Sequence, residues 1–209
     1  MIVIIDYGSG NINAIANIYK SLKIPFSISS SSSEIQKAEK IILPGVGSFD
    51  HCMSRLNKSG LKEILNKKVL VDKVPVLGIC IGLHLMANKS EEGNLMGLGW
   101  IDAEVKKFEK SKLIYKPKLP HMGWNRVHVL SNQELFKGIN EKKGFYFIHS
   151  YYISVKNKKN IMTTTEYGID FSSGINSSNI YAVQFHPEKS HTNGLKLLKN
   201  FSEINHAKI

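Results

Sequence analysis

Three short apolar runs, Ile2–Ile5, Ile41–Leu43 and Val76–Ile79, restrict what this chain can fold into more than any other feature. None of them alternates with polar residues, so each suits a strand covered on both faces. Each is punctuated by turn or breaker residues: Asp6-Tyr7-Gly8 after the first, Pro44-Gly45 after the second, Pro75 before the third and Gly82 beyond it. Helical patterns lie between them. Asn11–Leu22 sets Ile12, Ile15, Ile18, Tyr19 and Leu22 on one stripe. Ser33, Glu34 and Lys37 open a short helix after the serine tract 29–33, and Phe49–Leu65 is helical with one break at Ser59-Gly60. Strand alternating with helix over residues 1–90 predicts a parallel sheet with right-handed crossovers.

The second half changes character. Trp100–Phe108, Asn125–Leu130, Phe145–Val155, Ile161–Tyr167, Phe171–Ile175 and Ile180–Phe185 read as strands, with little helix between them apart from Glu134–Phe136 and a closing segment, Gly194–Phe201. That pattern adds antiparallel strands to the sheet. No internal repeat or linker interrupts it. The chain therefore reads as one α/β domain over residues 1–209, a mixed, mostly parallel sheet flanked by helices, with antiparallel strands in its C-terminal half.

A chain of 209 residues buries enough apolar surface to need neither a disulfide nor a metal. Its two cysteines, Cys52 and Cys80, make no disulfide scaffold, and reduced thiols fit a cytoplasmic protein. No apolar run reaches the roughly 18 residues of a membrane span. The start, with Asp6 and no basic stretch, does not read as a signal peptide. The net charge of +11 invites a nucleic-acid reading. Yet Arg55 and Arg126 are the only arginines, and the lysines are scattered rather than gathered with aromatics. The charge reads as solvated surface, part of it open to an acidic partner protein, and no nucleic acid is expected.

Gly78-Ile79-Cys80-Ile81-Gly82 follows a buried strand and leads into Leu83-His84-Leu85-Met86, which can continue as a helix. A nucleophile flanked by glycines at a strand-to-helix turn is the nucleophile-elbow pattern, here with Cys in place of Ser. Small neighbours let the backbone turn tightly, the helix start favours the thiolate, and the Ile81 amide faces a developing oxyanion. The competing reading is a buried core cysteine. Cys52, on the helix after Ser48-Phe49-Asp50 and without flanking glycines, reads as structural.

Phe185-His186-Pro187-Glu188 closes an apolar strand. Residues two apart in extended chain point the same way, so Glu188 can hold the His186 ring and stabilise its imidazolium. Alone, His-x-Glu is as well explained by a surface turn. Together with the cysteine elbow it supplies a nucleophile, a base and an orienter. Pro44-Gly45-Val46-Gly47-Ser48 also follows a buried strand. It suits an oxyanion loop or a plain turn, and no lysine follows as in a phosphate-binding loop.

In chain order these elements resemble the class I (triad) glutamine amidotransferases. Asp6-Tyr7-Gly8-Ser9-Gly10-Asn11, Pro44–Gly47, Gly97-Leu98-Gly99, Pro120-His121-Met122-Gly123-Trp124-Asn125, Tyr146–Tyr151 and Phe185–Ser190 resemble, more narrowly, the HisH family of glutaminase subunits of imidazole glycerol phosphate synthase. The likeness runs from Met1 to about Phe201 and implies the flavodoxin-like amidotransferase fold. It implies that Cys80 attacks the side-chain amide of glutamine, His186 moves the proton and Glu188 orients it. Amides near Val46 and Gly47, with that of Ile81, would hold the oxyanion, and Glu92 would grip the substrate's amino group. Ammonia would pass to a HisF-type (β/α)8 cyclase in a heterodimer serving histidine biosynthesis, with Asn11, Met122, Trp124 and Lys189 facing the cyclase. Without the resemblance, Met122 and Trp124 fit a core hairpin equally well. No cofactor and no metal is implied.

His84 departs from the pattern, because the family usually has Gln four residues after the nucleophile. The resemblance places it against substrate glutamine, where an imidazole is expected to bind less well and to gain a proton near neutral pH. The departure also admits a HisH-like paralogue that feeds ammonia into amidination of a surface-polysaccharide sugar. A third possibility, a docking subunit without activity, sits poorly with an intact Cys80, His186 and Glu188.

Overall fold

The computed structural model describes residues 1–113, 118–130 and 133–204. The apolar runs of the first half become β1 (Ile2–Ile5), β3 (Lys40–Leu43) and β4 (Val76–Ile79), and an additional strand, β2 (Phe26–Ser29), pairs with β1. They run parallel in the order β2-β1-β3-β4. The connections carry α1 (Ile12–Ser21), α2 (Ser32–Ile35), α3 (Phe49–Lys58) and α4 (Lys62–Asn66). The break expected at Ser59-Gly60 is where α3 ends and α4 begins. The strand β2 was not expected from its sequence, Phe-Ser-Ile-Ser. It is the edge of the sheet, where one covered face suffices and a continuous apolar run is unnecessary.

The second half contributes α5 (Ile81–Leu85), β5 (Lys89–Ser90), β6 (Ala103–Lys107), β7 (His121–Asn125), β8 (His128–Val129), β9 (Phe145–His149), β10 (Tyr151–Val155), β11 (Ile161–Glu166), β12 (Asp170–Ser177), β13 (Ile180–Val183) and α6 (His191–Glu203). The sheet continues β4-β13-β12-β10-β6-β5, with β11 and β8 branching from β12. The β13–β12, β12–β10 and β10–β6 pairs are antiparallel, as the change in pattern predicts. Two expected strands divide. Phe145–Val155 breaks at Ser150, so that β9 pairs with β7 in a separate two-stranded sheet while β10 joins the main one. Asn125–Leu130 splits likewise, Asn125 ending β7 and His128–Val129 forming β8. Trp100–Phe108 shortens to β6, because Trp100–Asp102 bends away and the indole Nε1 donates to Asn66 Oδ1 at 2.7 Å.

Val3, Ile4, Ile5, Ile41, Ile42, Leu43, Val76 and Leu77 are wholly inaccessible. Each side chain of this kind contributes about 1.5–3 kcal/mol through burial. For the site, the decisive feature is where β13 lies. It runs parallel beside β4, with Val183 opposite Ile79, while Leu43 of β3 faces Gly78. Three strands therefore end at one level. The segments that leave them, 44–48, 80–82 and 184–188, meet at the carboxyl edge of the sheet, the usual place for a site in such folds. Among the described residues no helix is long and apolar enough to cross a membrane.

Candidate active site

Cys80 stands at the end of β4 with φ 54° and ψ −109°, a left-handed conformation rare for a side chain other than glycine. Such strain costs about 1–3 kcal/mol and persists only where the surroundings impose it. Here they do. A Cβ on Gly82 would run into the Leu43 carbonyl oxygen, and one on Gly78 would sit 2.8 Å from Met86 Cε and 3.0 Å from the Gly82 backbone. The following helix, α5, has only five residues and ends at Leu85. Its influence on the thiol therefore comes from the first amides rather than from a long dipole. The Ile81 amide makes no hydrogen bond to another described residue.

His186 follows β13 and lies beside Cys80, buried. Its Nδ1 donates to Glu188 Oε1 at 2.7 Å, and the Asn11 side-chain amide donates to the same oxygen at 2.8 Å. Burial alone would lower the His186 pKa. The Cys80 sulfur, which it hydrogen-bonds, and the Glu188 carboxylate outweigh burial and raise it. Burial likewise works to raise the Glu188 pKa, but the His186 hydrogen bond and charge, with Asn11, bring it below the usual carboxylate value. His186 is thus held as the imidazolium, hydrogen-bonded to the carboxylate of Glu188 and set against the Cys80 sulfur. Ser190 fixes the turn: its Oγ donates to the His186 carbonyl at 2.6 Å and accepts from the Tyr146 amide at 3.0 Å.

The loop after β3 differs in detail from expectation. The Val46 amide, expected at the oxyanion, donates to Ser9 Oγ at 3.1 Å, and Ser9 Oγ donates to the Val46 carbonyl at 2.8 Å. The next amide, that of Gly47, has no such partner among the described residues, and Gly47 adopts φ 118°. Cys52, buried beneath the loop, lies 3.2 Å from Ser9 Oγ and 3.5 Å from the Val46 carbonyl oxygen, a packing role like the one its sequence suggested.

These segments enclose a cavity of about 350 Å³ that brings Asn11, Val46, Gly47, Cys80, Ile81, His84, Glu92, His186 and Lys189 to one place. Glu92 accepts from the Phe49 amide at the start of α3 at 3.0 Å, and burial raises its pKa against that bond. His84 borders the cavity but is fully packed, with Nε2 2.8 Å from Gln184 Oε1 and Nδ1 without a hydrogen-bond partner among the described residues. Burial pushes its pKa down to about 4, against the Gln184 hydrogen bond. The expected protonation near neutral pH is therefore wrong: an enclosed imidazole cannot be solvated as a cation. A larger groove of about 780 Å³, lined in part by Glu188, shares Lys189 with this cavity but touches neither Cys80 nor His186.

Of the four residues assigned to a partner face, Asn11 lies half-buried against the triad. Lys189 sits at the cavity mouth with Nζ 5.5 Å from the Tyr146 ring centre. Met122 and Trp124 stand apart on β7, exposed, with the indole stacked on His191 at 5.2 Å; they form no core hairpin. Sequence reasoning missed Gln184, Ser9 and His149. Gln184 had a signal: it is a polar residue inside an apolar strand, two positions before His186 and so on the same side.

A family model described as glutamine amidotransferase class-I matches residues 3–204. The chain is 50% identical over 204 residues to "Imidazole glycerol phosphate synthase subunit HisH" of Bdellovibrio bacteriovorus, covering 98% of this chain and all of that one. The chain belongs to the class-I glutamine amidotransferases, in their HisH group. A second HisH relative of this amidotransferase, "HisH 2" of Methanococcus maripaludis, is 52% identical and covers 96% of this chain and 98% of its own. Among solved structures, a putative GMP synthase protein from Thermoplasma acidophilum superposes with a TM-score of 0.69 at 21% identity, covering 97% of this amidotransferase and 92% of that chain. PurLQS from Thermotoga maritima gives 0.67 at 18% identity, covering 97% of both chains. At those identities the structures speak for the fold alone, and they agree with the α/β reading.

Proposed function

We propose that this amidotransferase is the ammonia-producing subunit of an imidazole glycerol phosphate synthase, serving histidine biosynthesis in the cytoplasm. The Cys80 thiolate adds to the side-chain amide carbon of glutamine. The carbonyl oxygen takes up the negative charge, facing the amides of Ile81 and Gly47, with Val46 next in the loop. The His186 imidazolium gives its proton to the departing nitrogen as the C–N bond breaks. Ammonia leaves, and a glutamyl thioester remains on Cys80. His186, now neutral, takes a proton from water, which adds to the thioester and releases glutamate. Glu188 and Asn11 hold the ring throughout. Glu92, an acceptor, receives the substrate's amino group, and His84 lines the same pocket. The carrying observation is the strained Cys80 and His186 lining one cavity, with Glu188 buried behind His186.

The ammonia goes to a HisF-type (β/α)8 cyclase in a heterodimer. The exposed Met122 and Trp124 suit its hot spot, an apolar and an aromatic anchor on a rigid strand pair. Glutamate release, measured with and without a HisF-type cyclase, tests the reading. Turnover that rises with the cyclase and vanishes in Cys80→Ala supports it; turnover in Cys80→Ala would overturn it.

A further inference from the structure

We propose that His84 is a positioning residue for the nucleophile, acting through Gln184. The chain of contacts is short and buried. Gln184 follows β13, wholly inaccessible, and its Nε2 lies 3.9 Å from Cys80 Sγ. Its Oε1 lies 2.8 Å from His84 Nε2. The chemistry of the ends sets the direction of every bond. The sulfur accepts from Gln184 Nε2, which turns the amide oxygen to His84. A carbonyl oxygen only accepts, so His84 carries its proton on Nε2. Nδ1 is then a bare acceptor, which agrees with its having no hydrogen-bond partner among the described residues.

This arrangement gives the sulfur, as it becomes the attacking thiolate, a neutral donor distinct from the His186 imidazolium. A hydrogen bond to a charged group is stronger than one between neutral groups. A primary amide turns over freely unless one of its ends is recognised. His84 supplies that recognition: with its Nε2–H in place, the reversed amide would set N–H against N–H. Removing His84 therefore costs the sulfur its oriented donor although His84 does not touch it.

The proposal rests on the reading of Cys80 as nucleophile. Its test is the second-order rate of Cys80 alkylation by iodoacetamide in the full chain without substrate, read by mass spectrometry of the Cys80 peptide. His84→Leu and Gln184→Leu each slow alkylation about tenfold. The double variant is no slower than either single one, because both break one relay. His84→Gln, which keeps an amide donor near the Nε2 position, restores most of the rate and serves as the arm least prone to misfolding; circular dichroism confirms the fold of each. Wild-type rates in the folded single variants, or multiplied losses in the double variant, would overturn the relay. An active Cys80→Ala enzyme would instead overturn the underlying reading of the site, a separable result.

Discussion

Glu188 Oε1 accepts two hydrogen bonds, from His186 and from Asn11, while Oε2 accepts none from another described residue. The ring is therefore aimed through one oxygen, and Asn11 fixes that oxygen. Asn11→Ala should lower kcat about tenfold, the scale of a lost bond to a charged group, with KM little changed. Steady-state glutamine hydrolysis with the cyclase checks this, and an unaltered kcat would remove Asn11 from the machinery. His84 supports a second prediction. Held neutral by burial, with a pKa of about 4, it should leave KM flat from mildly acidic to mildly alkaline pH. A KM that rises on acidification near the ordinary histidine pKa would contradict it. Cys80, His186 and Glu188 were legible in the sequence because their chemistry restricts residue type and spacing. Asn11 as an orienter and Ser9 as the holder of Val46 were not. Both act across 37 or more positions in the chain, through contacts that only the assembled sheet creates.

At the scale of elements, the elbow depends on β4 and α5 meeting without side chains between them. Gly82→Ala would drive a methyl into the Leu43 carbonyl. It should destabilise by at least roughly the 1–3 kcal/mol typical of overpacking, as read by urea unfolding; an unchanged midpoint would mean that the turn relaxes freely. On the proposed reading the β7–β9 pair joins a partner face to the site. Met122 and Trp124 face outward, while His121 Nδ1 lies 2.9 Å from His149 Nε2, and His149 reaches the cavity. Trp124→Ala should weaken cyclase binding by about 2 kcal/mol, roughly thirtyfold. Calorimetric titration measures it, and a loss below twofold would place the interface elsewhere. The parallel strands were readable because burial on both faces leaves an unbroken apolar run. β7 was not, because His121-Met122-Gly123-Trp124-Asn125 packs one way through its histidine and leaves its large apolar residues outside.

For the molecule as a whole, two enclosed histidines tie stability to pH. Burial lowers the pKa of His84 to about 4, and burial with the neighbouring His121 lowers that of His149 well below its ordinary value. Folded, these rings bind protons less readily than when unfolded, so the unfolded chain takes up more protons as pH falls below about 6.5. Stability should therefore decline from there towards pH 4. His84 alone accounts for about 3 kcal/mol of that decline, at roughly 1.36 kcal/mol for each pH unit between its two pKa values. Urea unfolding of the wild type and His84→Gln across this range checks the sign: the variant should show a shallower slope, and parallel curves would contradict it. The whole account turns on Cys80 as the atom that bonds to glutamine. The most direct measurement is covalent trapping with a diazoketone analogue of glutamine, followed by peptide mass spectrometry and assay of residual activity. The account predicts one adduct, on Cys80, appearing in step with loss of glutaminase activity. An adduct on Cys52, or full inactivation with Cys80 unmodified, would contradict it.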